Sequence, residues 1–287
     1  MNPTVRAAIW MSGAIVSFTL MAVAGRAVSL DLDTFEIMMY RSLVGVFVVL
    51  TVAAATGSIG QIKANKIGLH FIRNVSHFAG QNLWFFAITV APLAQVFALE
   101  FTSPIWAMFL AAMILREKLN SVNLIAAFFG FAGVLIVSRP FGGTLELGVL
   151  AAALSAIGFA GSAVFTRLLT RTENITSILF FLTLMQFFLG IICAGADGDI
   201  AIPSSQNAPW ILLIALCGLL AHFCLTTALS LAPAAIVMPI DFTRLPVIAI
   251  VGMLFYAEVL DWYVLLGAVI IFSANYANIW HSSRSNS

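Results

Sequence analysis

Charge is what this chain has least of. Asp, Glu, Lys and Arg together make up 9% of its 287 residues, where soluble domains carry about a quarter. Beside 24 Phe and a hydrophobic fraction of 62%, so few charges cannot coat a globular surface of this size. That shortage excludes an ordinary soluble enzyme and a disordered chain. A net charge of +1 offers no basic face to a polyanion, so nucleic acid is not an expected partner. Cysteine is also scarce. Cys193, Cys217 and Cys224 lie in or beside apolar runs without CxxC or CxxH spacing, which argues against a disulfide framework or a metal site. The chain has neither a Walker A motif for ATP nor an HExxH motif for zinc, so ATP-driven transport by this chain alone is excluded and no cofactor is expected.

What remains is a chain whose solvent is lipid. A membrane helix needs about 20 apolar residues. Ten such runs lie between charged or Pro/Gly/Asn breaks, at residues 7–28, 35–55, 67–90, 93–115, 122–138, 147–168, 175–194, 209–231, 235–256 and 262–280. Arg6 and the Ala22-Val23-Ala24 triplet give the first run the look of a signal peptide. It is longer than a signal core, and it is kept as the first span. Trp10, Trp210, Trp262 and Trp280 stand near run ends, as an interfacial aromatic belt requires.

The sequence repeats itself at an offset of 141 residues, the distance from Glu100 to Asp241. APLAQVFALEFT from Ala91 answers APAAIVMPIDFT from Ala232; Glu117 falls on Glu258, Leu119 on Leu260 and Gln81 on His222. Ala24-Gly25-Arg26-Ala27 gives a weaker echo in Ala160-Gly161-Ser162-Ala163. The expected architecture is an all-α integral membrane protein of ten transmembrane helices in a 5+5 inverted repeat, residues 1–140 and 141–287. Because five is odd, the second copy enters the membrane from the opposite side. Positive charge agrees with cytoplasmic termini: Arg6, Lys63, Lys66, Arg116, Lys118, Arg167, Arg171 and Arg284 then share the inner side. The outer side holds Arg26 and Arg139 among Asp31, Asp33, Glu146, Asp197, Asp199 and Asp261. Inverted repeats place a substrate site at the bilayer midplane, where the halves meet, and alternate its exposure by rocking.

Ionisable groups inside the runs cost roughly 2.5–3.5 kcal/mol each on insertion scales and need a reason. Glu100 and Asp241 are repeat-equivalent, and Arg244 follows Asp241 by three residues on one helical face. The site reading is a substrate or proton cavity; the alternative is ion pairing, Asp241 with Arg244 and Glu100 with Arg41 or Arg73. In the third run Arg73, His77, Gln81 and Trp84 form one stripe that must face protein or water. Gln81, Trp84, Glu100, Trp106, His222, Asp241 and Arg244 are the expected substrate-binding residues, with His222 a group able to titrate near neutrality. Arg41, Arg73 and His77 are assigned to gating or ion pairing. Glu36 is read as interfacial. Pro104, Pro239 and Pro246 are expected to kink the fourth and ninth spans beside these acids. Ala126, Ala127, Gly130 and Gly133 smooth the fifth span, so the fifth and tenth spans serve as scaffold and as the expected homodimer contact.

The segment APLAQVFALEFTSPIWAMFLAAMILREKL resembles the EamA family of the drug/metabolite transporter superfamily. Nearly the whole chain, both copies, shares the resemblance. It implies ten helices around a cavity that excludes spans five and ten. It also implies closing glutamates, here Glu117 and Glu258, after Pro104 and Pro246; both are read as caps or gate elements. Members carry amino acids, nucleotides, drugs and vitamins, some inward and some outward. The PIDFTRLP segment is similar to a subgroup that includes riboflavin and S-adenosylmethionine uptake carriers. The expected function is therefore secondary transport of a small organic metabolite across a bacterial inner membrane, uptake favoured. A low-affinity exporter of amino acids or other metabolites is the alternative, and an intramembrane enzyme or a lipid flippase the non-transport one. The enzyme reading lacks a nucleophile paired with its base.

Overall fold

The computed structural model describes residues 3–29, 31–116, 119, 121–138, 146–196, 198–231, 240–241, 243–259 and 261–285. Expectations for Glu117, Lys118, Arg139, Asp197 and Pro239 fall outside these residues. Among the described residues, regular structure is helical throughout: α1 (Pro3–Val28), α2 (Thr34–Ala55), α3 (Ile67–Val90), α4 (Leu93–Glu100), α5 (Ser103–Leu115) and α6 (Ser121–Ser138). They are followed by α7 (Leu147–Leu169), α8 (Ile175–Ala194), α9 (Ala208–Leu231), α10 (Arg244–Tyr256) and α11 (Trp262–Ser285). Among the described residues, seven helical stretches are long and apolar enough to cross a membrane, with α4 and α5 counted together over Leu93–Ile114.

Helix ends follow local chemistry. Asp33 caps α2 by accepting from the Glu36 backbone N–H, and the Glu36 carboxylate accepts from the Asp33 N–H in return. Asn174 caps α8 through the Ser177 N–H. The fourth span is broken rather than kinked. Glu100 ends α4, Phe101 and Thr102 turn, and Pro104 sits in the first turn of α5. Proline is suited to that place because its missing N–H is one the helix start leaves unbonded anyway. Pro246 likewise lies in the first turn of α10. Lipid cannot solvate such a break, and Asn275 of α11 supplies a donor to the Phe101 carbonyl at 2.6 Å.

The bounds of α5 and α10 differ by 141 residues at both ends, 103 to 244 and 115 to 256. Both helices stop on a non-glycine residue in left-handed conformation, Arg116 (φ 57°) and Ala257 (φ 53°). Such a residue costs roughly 1–2 kcal/mol. At Ala257 it lets the Glu258 N–H close back on the Gly252 carbonyl at 3.1 Å, which terminates the helix and swings Glu258 inward.

Helices pack as α1 on α9, α3 on α7, α2 on α8 and α6 on α11, with α4 against α10. Phe47 and Val52 on α2, Phe128 and Phe129 on α6, and Leu254 and Phe255 on α10 point outward. An exposed apolar surface of this extent suits a hydrocarbon surround. The smooth face of α6 is occupied within the chain. Ala126 and Ala127 are buried, Gly130 faces Ile105, and Gly133 meets the Gly267 backbone of α11. A Cβ on Gly133 would stand 2.6 Å from Ile271 Cγ1 and 2.9 Å from the Gly267 carbonyl oxygen. Gly133→Leu is therefore expected to destabilise by about 1–3 kcal/mol through overpacking. Gly60→Ala, with nothing within 4 Å, should leave thermal unfolding in detergent unchanged.

Candidate functional site

Helix α3 is built inside out. His70, Arg73, Asn74, His77, Gln81, Asn82 and Trp84 are buried, while Phe71, Ile72, Val75 and Phe86 are exposed. Lipid accepts the apolar side, and the polar stripe turns to the bundle. Close approach to α7 is possible because Gly80 and Gly158 meet backbone to backbone: a Cβ on Gly158 would lie 2.6 Å from Gly80 Cα.

Two groups of charge lie along the interior. The first joins α3, α4 and α10. Arg244 Nη2 donates to Glu100 Oε1 at 3.0 Å and to Asp241 Oδ2 at 3.2 Å. Trp84 Nε1 donates to Glu100 Oε2 at 2.7 Å. The guanidinium also lies over the rings of Phe18, Phe97 and Phe101 at 4.7, 5.0 and 5.0 Å, a stacking that Arg favours and that shields it from lipid. Asp241 Oδ1 and Arg244 Nε have no hydrogen-bond partner among the described residues. Two carboxyl groups thus share one guanidinium. Glu100 pairs with Arg244, not with Arg41 or Arg73.

The second group lies among α2, α3, α7, α8 and α9. Arg73 Nε donates to Thr166 Oγ1 and its Nη1 to Asn74 Oδ1, each at 3.0 Å. Arg41 is buried and lines a small cavity with Thr183, Gln186, Gly218 and His222. His77 and His222 approach edge to face at 5.8 Å between ring centroids, and Ser162 Oγ lies 3.4 Å from His77 Nδ1. Phe18 stands between the groups, its ring 5.8 Å from His222 on one side and beneath Arg244 on the other. Trp106 belongs to neither group. It packs edge to face on Phe131 of α6 at 5.0 Å.

A third assembly closes one end of the bundle. Arg26, in the last turn of α1, pairs with Glu258 and donates to the Ile88 and Ala91 carbonyls at the end of α3. Glu258 Oε2 accepts from the Leu93 N–H that starts α4, at 2.9 Å. The Arg26 guanidinium lies 4.6 Å from the Tyr256 ring centroid. Four helix ends thus meet on one ion pair. Sequence reasoning did not place Phe18, Thr166, Gln186 or this partner of Arg26. Gln186 was available as the one amide in the apolar stretch ITSILFFLTLMQFFLGIICA; Phe18 looked like any other lipid-compatible residue.

The EamA-like transporter family model matches the chain twice, over residues 5–139 and 146–279. The chain belongs to the EamA-like transporter family. It is a multi-pass membrane transporter, not an enzyme, and the resemblance drawn from APLAQVFALEFT is thereby confirmed. A riboflavin transporter of Brucella anthropi is 31% identical over 218 residues, covering 75% of this chain and 77% of that one. A riboflavin transporter of Vibrio cholerae is 25% identical over 97% of this chain and 94% of its own. A S-adenosylmethionine uptake transporter of Rickettsia felis is 23% identical, again over 97% and 94%. One solved crystal structure superposes with a TM-score of 0.66 at 17% identity over 98% of this chain and 99% of its own, a likeness of fold.

Arg244 satisfies two acids, whereas each acid alone leaves Arg244 with the other. Arg244→Gln is therefore expected to destabilise by about 3–5 kcal/mol, as loss of one partner from a buried ion pair does. Trp84→Phe removes one hydrogen bond to a charged group and should cost about 1.5–3 kcal/mol. Thermal unfolding of the two detergent-purified variants checks the order.

Proposed function

We propose that this family member is a secondary carrier that takes up a small organic metabolite across the bacterial inner membrane by alternating access. It is read as two inverted five-helix repeats, residues 1–140 and 141–287, with both termini cytoplasmic. The observation that carries the reading is the Arg244 bridge between Glu100 and Asp241. It joins one acid from each half at positions 141 residues apart, in the interior of the bundle. A site built from equivalent helices of two halves can face either side when one half rocks against the other.

The packing supports the two-fold relation. Exchanging the halves turns the α1–α9 contact into the α7–α3 contact and returns α2–α8 and α6–α11 to themselves; these are the four most extensive helix pairings. The matched bounds of α5 and α10, and the left-handed stops at Arg116 and Ala257, support it locally. Arg26–Glu258 is read as the lock that shuts one face while the cavity opens to the other.

Riboflavin and S-adenosylmethionine are the first substrates to test, since relatives that match nearly the full chain carry those names. Each combines an aromatic ring system with many hydrogen-bonding groups, which Trp84 and Gln81 would suit beside Glu100, Asp241 and Arg244. A substrate at 100 times its dissociation constant stabilises a carrier by about 2.7 kcal/mol, enough to detect as a rise in unfolding temperature. Glu100→Gln and Asp241→Asn are each expected to abolish that rise, and uptake into proteoliposomes, while reaching the membrane in near-normal amounts. Full uptake by both variants would sink the assignment of the cavity.

A further inference from the structure

Arg41 and Arg73 are both more than nine-tenths buried, and among the described residues neither pairs with a carboxylate. The three described ion pairs use Arg26 and Arg244 only. Arg73 is held by neutral oxygens of Thr166 and Asn74. Arg41 has less: its Nη1 lacks any hydrogen-bond partner among the described residues. A guanidinium at this depth is costly, and such groups ordinarily pair with an acid or serve a substrate path. Both arginines lie close enough to His77 and His222 to act on them electrostatically, so their fields add within one region.

Arg41 is buried among the residues that line a small cavity. Gly218 faces it across α9, where even an added Cβ would only reach van der Waals contact with Nη2 at 3.8 Å. Gln186 sits beside it on α8, with Nε2 committed to the Asn74 carbonyl at 3.0 Å and Oε1 unbonded. Asn74 also receives Arg73, so a chain of neutral amides connects the second arginine to the cavity wall. Phe18 stands between this arginine region and the Glu100–Asp241–Arg244 group. Among the described residues, the interior thus holds two arginines unpaired with any acid on one side of Phe18 and two acids on the other.

We propose that Arg41, backed by Arg73, is an anion subsite that receives a carboxylate or phosphate group of the transported metabolite, whose cationic or hydrogen-bond-donating part lies toward Glu100 and Asp241. The substrate class is a dipolar or acidic small molecule with an aromatic body. This rests on the carrier reading and sharpens it. A forked guanidinium matches the two oxygens of either anion, whereas a relative of the substrate that lacks the acid would leave Arg41 unmatched.

Two ligand pairs separate the possible sources of the anion. S-adenosylmethionine against its decarboxylated form tests the carboxylate; riboflavin 5′-phosphate against riboflavin tests the phosphate. Binding is measured on the purified protein in neutral detergent free of anionic lipid. The acid-bearing member of at least one pair should bind at least about tenfold more tightly, the lower end of what a hydrogen bond to a charged group contributes. Arg41→Gln should reduce that preference to about twofold or less while the member without the acid still binds, and Arg41→Lys should retain part of it. Continued binding of the member without the acid shows that Arg41→Gln is folded; if that variant does not fold, Arg73→Gln carries the same expectation. Equal binding of both members of both pairs by the unmodified protein overturns the anion subsite alone. Failure to bind any of the four compounds contradicts the choice of riboflavin and S-adenosylmethionine as substrates and overturns the subsite proposed for them.

Discussion

Hydrocarbon offers no hydrogen bonds and no counter-ions, so each charge within this bundle has to be matched by protein or by something the protein carries. That constraint organises the structure. Arg244 is matched twice, by Glu100 and Asp241, and its flat faces are covered by Phe18, Phe97 and Phe101. Arg26 is matched by Glu258 and by carbonyls that the ends of α3 leave unbonded. Even the backbone obeys it, since the break after Glu100 is stitched to α11 through Asn275. Replacing water by fixed partners in this way makes the helices cohere without a hydrophobic drive between them.

Where the matching is incomplete, the chemistry of transport enters. Asp241 and Arg244 each keep an unbonded polar atom, and so does Arg41, a residue of the cavity wall. A fully satisfied network would hold the halves in one arrangement. One with spare valence at its centre can trade partners with a substrate, and its cohesion then depends on what is bound. The Arg26–Glu258 assembly works in the other sense. It draws four helix ends together around one pair.

Much of the fold was legible because the bilayer sets run lengths. The third run, 67–90, coincides with α3, and the seventh, 175–194, with α8. The polar stripe Arg73, His77, Gln81 and Trp84 was legible because a 3.6-residue period needs no tertiary information. Partners were not. Periodicity places Glu100 on a face but cannot say which cation meets it, and Arg244 lies 144 residues away. Trp106 was grouped with the acids for the same reason: a single apolar run hides the turn at Phe101–Thr102, and in the structure its ring rests on Phe131. The expected kinks at Pro104 and Pro246 became helix starts, because proline fits a first turn better than an interior. Phe18 carried no signal, since its role depends wholly on what stands either side of it.

Alternating access is the centre of the account, and the side from which the cavity is reached tests it most directly. Ser42, a cavity-lining residue, can be made the sole reporter as Ser42→Cys after Cys193, Cys217 and Cys224 are replaced, in proteoliposomes exposed to an impermeant thiol reagent on one face at a time. With Arg26–Glu258 intact, the account predicts labelling from the face opposite that pair and little from its own. Glu258→Gln should shift labelling toward the face the pair had closed. Labelling that is equal from both faces, or unmoved by Glu258→Gln, would contradict it.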